Sequence, residues 1–239
     1  MTKLRLDNLL VNKKLVDSRS QADNFIRLGE VQVDGKIIQK AGYFVNEDAN
    51  IKVTANERYV SRAGLKLASV SHEFKLNFKG ATVLDVGSST GGFTDYALKN
   101  GAKKVIAVDV GTNQLHPKLQ TNNKIELHEQ TDIRSIKQLS SKPDIVVIDV
   151  SFISLRQVLP HIVKIASTSQ VVAMLKPQFE VGAEAKHKGV IKNEKIRRDI
   201  IKKFEIWLKE YFVIISKSDS KISGSKGNLE RFYLLKSVI

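Results

Sequence analysis

Two regimes of apolar spacing divide this chain near residue 60. In the first, Leu4, Leu6, Leu9, Leu10 and Leu15 recur at helical intervals. Ser18 and Gln21 then stand at capping-box spacing for a second helix running to about Leu28, and Gly29 supplies a residue able to end it in a left-handed conformation. The run from Val31 to Ile38 is broken by Asp34-Gly35, which predicts a hairpin. A short polar stretch, Thr54–Tyr59, follows. From Ser61 onward strands and helices alternate. The pattern predicts helices over 61–77, 92–100, 154–166 and 193–210. It predicts strands over 82–86, 104–109, 124–128, 144–150, 170–176, 211–217 and 230–236. Runs such as Ile145-Val-Val-Ile148 and Val171-Val-Ala-Met-Leu175 lack alternation, as central strands covered on both faces do. The expected fold is a doubly wound α/β sheet with ligand sites at the strands' carboxyl ends, where Asp85, Asp109, Asp149 and Lys176 fall.

The segment Val83–Asp95, V-L-D-V-G-S-S-T-G-G-F-T-D, carries the most chemistry. It reads as a strand, an acid at its end, a glycine-rich turn and the start of a helix. Glycines there let a ligand approach the backbone closely. Asp85 turns the reading away from a dinucleotide, because a carboxylate would repel a pyrophosphate. A cofactor with a cationic amino-acid tail, S-adenosylmethionine, welcomes it. Asp109, at the end of Lys104-Val-Ile-Ala-Val, is placed to accept both hydroxyls of a ribose, a device nicotinamide enzymes share.

Composition narrows the classes. The chain has 239 residues and no cysteine, which excludes disulfides, thiolate metal sites and a cysteine nucleophile, and agrees with a cytoplasmic location. Its five histidines form no metal-ligand spacing, so no metal is expected. No apolar run reaches membrane-span length, which counts against a membrane partner or a membrane-active lysin. The net charge of +14 points to a polyanionic partner. The excess is uneven. Residues 1–60 carry 10 basic and 8 acidic groups, and residues 184–239 carry 14 and 7.

The acceptor is constrained by what is missing. Methylation through a pyrimidine carbon usually needs a cysteine. Methylation of an exocyclic amine usually uses a proline-containing loop after the fourth strand, where this chain reads Asp149-Val-Ser-Phe152. A hydroxyl acceptor needs groups that hold its proton and fix it in line with the methyl. The chain offers Lys66 before the first strand, Asp149 after the fourth, Lys176 after the fifth and Glu230 at the start of the last.

These four residues match the Lys-Asp-Lys-Glu tetrad of FtsJ-type ribose 2′-O-methyltransferases. Residues 3–53, with R-L-D-x-x-L and then S-R-S-Q-A-x-x-x-I-x-x-G-x-V-x-V-x-G, resemble the small RNA-binding domain of the ribosomal protein S-four type. Taken whole, the chain resembles the TlyA family, whose members also carry the label haemolysin. The resemblance implies a Rossmann-like SAM-dependent methyltransferase sheet over 61–239, a small N-terminal α+β RNA-binding domain over 1–54 and a linker over 55–60. It implies 2′-O-methylation of cytidine in ribosomal RNA, free or in the ribosomal subunit. The end at Ile239 matches shorter members that act on large-subunit 23S rRNA.

Lys176 would accept the hydroxyl proton, Asp149 and Lys66 would orient it, and Glu230 would hold Lys66 or the ribose. Asp85, Gly87, Ser88, Ser89, Thr90, Gly91, Gly92 and Phe93 would surround the cofactor, with Asp109, Val110, Asp132 and Asp149. In that set Asp132 would meet the adenine. Arg5, Arg19, Arg27 and Arg62 would face RNA. The rival reading is a non-catalytic RNA-binding ribosome-assembly factor, which has no need of the tetrad.

Overall fold

A computed structural model describes residues 3–16, 19–27, 29–40, 42–54, 59–181, 190–191, 193–222 and 227–238. The chain divides into two compact units, Met1–Arg58 and Tyr59–Ile239.

The first unit contains β1 (Lys3–Arg5), α1 (Leu6–Asn12), α2 (Arg19–Arg27), β2 (Val31–Val33), β3 (Lys36–Ile37), β4 (Phe44–Asn46) and β5 (Ile51–Val53). Leu6, Leu9, Leu10, Phe25, Ile26 and Val31 form its core. The leucine spacing overstates the first helix. Leu4 lies in β1, paired with Val45 of β4, and Leu15 lies beyond the helix and is half exposed. Three-residue strands are too short to show a period of their own. The end of α2 behaves as expected: Gly29 N–H bonds to Ile26 C=O and Glu30 N–H to Phe25 C=O. Asp34 and Gly35 both have positive φ, and β2 pairs with β3 across that turn and with β5 on its other side. Ser18 of the expected capping box lies outside the described residues.

The second unit runs α3 (Arg62–Ser71), β6 (Thr82–Val86), α4 (Gly92–Lys99), β7 (Lys104–Val108), α5 (Pro117–Gln120), β8 (Ile125–His128), β9 (Ile145–Ile148), α6 (Leu155–Ala166), β10 (Gln170–Leu175), α7 (Pro177–Glu180), α8 (Glu194–Leu208), β11 (Phe212–Asp219) and β12 (Arg231–Ser237). A single turn of 3₁₀ helix covers Ile133–Ser135. Seven strands form one sheet in the order β11-β12-β10-β9-β6-β7-β8. The five from β10 to β8 are parallel, and β12 runs antiparallel to both neighbours.

Both faces are covered, which is why the central strands read as unbroken apolar runs. On one face Leu84, Val146 and Tyr233 meet α6 and α8 through Leu159, Ile162 and Phe204. On the other, Val83, Val147, Met174 and Phe232 meet α3 and α4 through Leu67, Val70 and Phe93. Each fully buried Leu or Phe contributes about 1.5–3 kcal/mol. Local signals start two of the helices. Ser154 accepts from Arg156 N–H at the start of α6, and Asn193 from Lys195 and Ile196 N–H at the start of α8. The helix expected over 61–77 stops at Ser71; a turn then brings Phe74 and Phe78 into the same core. The short helices α5 and α7 were absent from the apolar pattern, being one turn each.

Candidate active site

Strand alternation alone gathers most of the site. Successive side chains of a strand point to opposite faces. Val83 and Val147 face α3 and α4, so Asp85 and Asp149 do too. The same parity carries Met174 to Lys176 and Phe232 to Glu230. Leu175 pairs with Arg231, so one further step sets Lys176 opposite Glu230. Lys66 comes from α3, the helix packed over that face. That helix crosses close to the start of α4. A Cβ added at Gly92 would lie 2.9 Å from Gly64 N, and one at Gly64 would lie 2.9 Å from Gly92 O.

The chain reverses direction across the sheet between β6, β7 and β9, and the glycine turn lies at that switch. Gly87 has φ of 80°, and a Cβ there would meet Asp149 O at 2.7 Å. Only glycine lets the two strand ends stand this close without strain. Asp85 is fully buried. Its Oδ2 accepts from the Thr94 hydroxyl at 2.6 Å, while Oδ1 has no hydrogen-bond partner among the described residues. Burial pushes its carboxyl up to about 7; the Thr94 hydroxyl bond opposes the shift, and repulsion from Asp149 and Asp109 adds to it. Asp109 accepts from Ser89 N–H at 2.8 Å and Gly111 N–H at 2.7 Å, which fixes the carboxylate at the pocket rim.

Two chambers open here. The larger, about 310 Å³, is lined by Asp109, exposed Val110, Asp132, Ile133, Val150 and Phe152 among others. The smaller, about 140 Å³, is lined by Ser61, Asp85, Ser88, Thr90, Phe93 and Lys176 among others. Gly87, Ser89, Asp149 and Ser151 line both. Gly91 and Gly92 cap and start α4 beside them. Asp132 is less available than the sequence suggests. Arg134 grips it through Nε and Nη2, the latter at 2.6 Å, and that bond holds its carboxyl below the usual range.

The four tetrad residues form two ion pairs. Lys66 bonds to Glu230, both nearly buried. Lys176 Nζ stands 2.6 Å from Asp149 Oδ1. It also donates a hydrogen bond to Ser151 Oγ, at 2.7 Å. Sequence reasoning missed Ser151; its two-residue spacing from Asp149 on the same loop was the available signal. It also missed Glu180, whose buried carboxylate accepts from Ser154 Oγ at 2.6 Å and Leu155 N–H at 2.7 Å. That carboxylate ties the turn after Lys176 to the loop after Asp149, and burial raises its pKa.

The expected RNA-facing arginines separate. Arg5 and Arg19 converge on Asp7, through contacts of 2.9–3.0 Å. Arg62 opens α3 and is half-buried. The Arg27 side chain lies outside the described residues. Among the described residues no cluster of metal-ligand type occurs, and no helix is long and apolar enough to cross a membrane.

A strand order of this kind, with an acid at the end of β6 and a Lys–Asp pair at the ends of β10 and β9, defines a Rossmann-like methyltransferase. Residues 59–237 match the FtsJ-like methyltransferase family and residues 4–51 the S4 domain. The chain is 38% identical to the 23S rRNA (cytidine-2′-O)-methyltransferase TlyA of Campylobacter jejuni, covering 96% of this chain and 98% of that protein. It is 37% identical to hemolysin A of Brachyspira hyodysenteriae, over 95% and 97%. A solved structure from Streptococcus thermophilus, described as a candidate hemolysin, matches with a TM-score of 0.76 at 36% identity, covering 99% of this chain and 89% of that one. The chain belongs to the FtsJ-like methyltransferases and, within them, to the TlyA family.

Proposed function

We propose that this protein transfers a methyl group from S-adenosylmethionine to the ribose 2′-hydroxyl of a cytidine in ribosomal RNA, with large-subunit 23S rRNA as substrate. The carrying observation is Lys176, aimed by Ser151 and Asp149 into the chamber that also holds the unpartnered oxygen of Asp85. The residues fit the cofactor. Asp85 Oδ1 suits its ammonium, the Gly87 turn leaves room that a Cβ would fill, and Asp109 has lone pairs left for a ribose. When bound, the cofactor supplies an electrophilic methyl on a positively charged sulfur.

The protein's own part is positioning and proton handling. Asp149 and Ser151 fix Lys176, which in its neutral amine form would hold the 2′-oxygen in line and take its proton as that oxygen is methylated. Lys66 and Glu230 form a neutral wall behind that centre. Asp132, already held by Arg134, serves the adenine end through what acceptor capacity remains. The N-terminal unit docks the RNA through Arg5, Arg19 and Arg27, Arg62 of the second unit adds a further RNA contact, and action on rRNA goes with a cytoplasmic protein. Support comes from the tetrad's pairing and from the rRNA activity named for the full-length Campylobacter relative.

The test is to map 2′-O-methyl groups in rRNA from cells with and without the gene, and to restore the missing group with purified protein and labelled cofactor. Identical maps, or a methyl appearing on a base, would overturn the proposal.

A further inference from the structure

The strands β1 and β4 form a separate two-stranded ribbon, paired Lys3–Asn46, Leu4–Val45 and Arg5–Phe44. The middle pair packs into the N-terminal core, so the outer pairs face away from it. Directly opposed residues have Cβ atoms about 5 Å apart on one face. Arg5 and Phe44 therefore share the outer face, and Phe44 is 58% exposed. Its chain neighbour Tyr43 is exposed as well, and Phe44 stands beside fixed cations.

Asp7, 3% exposed at its side chain, accepts from Arg5 Nε and Nη2 and from Arg19 Nε. The two arginine side chains remain 41% and 59% exposed, and Lys3 lies on the ribbon's outer face too. Two arginines on one buried carboxylate are held in one orientation; Asp23 also acts on Arg5, and Lys3 adds a cation on that face. A flat apolar ring beside oriented guanidiniums is the pairing that single-stranded nucleic acid uses, with bases stacked on rings and phosphates on cations. An acidic protein surface would find the cations but would gain less from the flat face of a ring.

We propose that the outer face of the β1–β4 ribbon reads unpaired RNA: Phe44 stacks on one base while the Arg5–Asp7–Arg19 cluster holds the adjoining phosphates. This rests on the rRNA reading above and adds what kind of RNA the N-terminal unit selects. Asp7 acts as a positioning residue for the two arginines.

The test uses the full chain without cofactor and two probes, a short mixed-sequence single-stranded oligoribonucleotide and a blunt duplex of the same length. Phe44→Ala is expected to weaken single-strand binding roughly ten-fold with an unchanged salt slope, to leave duplex binding alone, and to be rescued by Phe44→Trp. Arg19→Ala should lower the salt slope by about one on both probes. Wild-type affinity of Phe44→Ala for the single strand would overturn the proposal, as would an equal loss on the duplex. Loss of self-association in sedimentation with RNA binding intact would also overturn it, making the face a protein interface. Failure of the wild type to bind either RNA would instead overturn the function proposed above.

Discussion

Removing the buried Asp85 carboxylate should make the protein more stable, not less. Asp85 is fully buried and its carboxyl rises from 3.8 to about 7, through burial first. Its native pKa lies above its unfolded value, so the folded chain binds a proton that the unfolded chain has lost. Stability therefore falls as pH rises from about 4 to about 7, and stays lower above that. A shift of about three units is about 4 kcal/mol. Asp85→Asn cannot ionise and keeps an oxygen for the Thr94 hydroxyl. Allowing about 1 kcal/mol for a disturbed hydrogen bond leaves about 3 kcal/mol. At 2–4 °C per kcal/mol, Tm at pH 8 should rise by roughly 10 °C. At pH 5 the wild type has lost only about 1.6 kcal/mol of the about 4, and the hydrogen-bond allowance of about 1 kcal/mol offsets most of that, so the gap should shrink to roughly 2 °C. Calorimetry supplies the second arm. Wild-type affinity for S-adenosylmethionine should improve about ten-fold per pH unit up to about 7 and then level, while the variant binds weakly at every pH. A Tm gap as large at pH 5 as at pH 8, or a variant no more stable at pH 8, would refute the reasoning.

Lys176→Met should lower single-turnover methylation by on the order of 10²–10⁴ with cofactor and RNA affinities nearly unchanged. Lys176→Arg should do almost as badly, because a guanidinium does not release its proton near neutrality; a near-normal rate in either removes this lysine from the chemistry. Ser151→Ala, which deletes the hydrogen bond at 2.7 Å, should cost about ten-fold in kcat with little change in KM, and Ser151→Thr should recover most of it. Loss in KM alone would assign Ser151 to binding. Gly87→Ala puts a Cβ 2.7 Å from Asp149 O at a positive φ, with strain on the order of 1–2 kcal/mol before any clash. It should reduce cofactor affinity in calorimetry and leave binding to the RNA probes intact; unchanged cofactor affinity would show that the turn accommodates a side chain.

What was legible in the sequence was whatever has a period or a fixed local chemistry. Seven strands of the main sheet were readable because Ile145–Ile148 and Val171–Leu175 are apolar throughout, and Asp34-Gly35 announced its turn. Leu4 was misread because an apolar residue in a three-residue strand serves a helical stripe equally well. The strand-end acids could be placed because a β-strand's parity predicts its faces. Pairing could not. Nothing in the chain says that Lys66 takes Glu230 while Lys176 takes Asp149 and Ser151, since that depends on how close α3 approaches across Gly64 and Gly92. Glu180 was invisible for a related reason. A carboxylate in a polar turn reads as solvated, and only the tertiary fold buries it against Ser154 and Leu155.

The pairing changes how the tetrad is to be understood. Four charged groups near one another could stand as two cations facing two anions in common. Here each lysine has its own carboxylate, Glu230 for Lys66 and Asp149 for Lys176. Burying such groups is tolerable only because they are paired. The larger chamber has a different balance. Asp109, Asp132 and Asp149 line it, with Asp85 in the smaller chamber beside them, and the cations in contact are Lys176 on Asp149 and Arg134 on Asp132. Asp85 and Asp109 are left to act on whatever occupies the pocket. A cofactor with a positive sulfur and a positive ammonium suits that field. Its product, having lost the sulfur's charge, suits it less. The same carboxylates would repel RNA phosphates, so the substrate must be drawn in by cations elsewhere on a chain of net charge +14 and presented by geometry. Division of labour between an acidic pocket for the cofactor and basic surfaces for RNA follows from those two requirements.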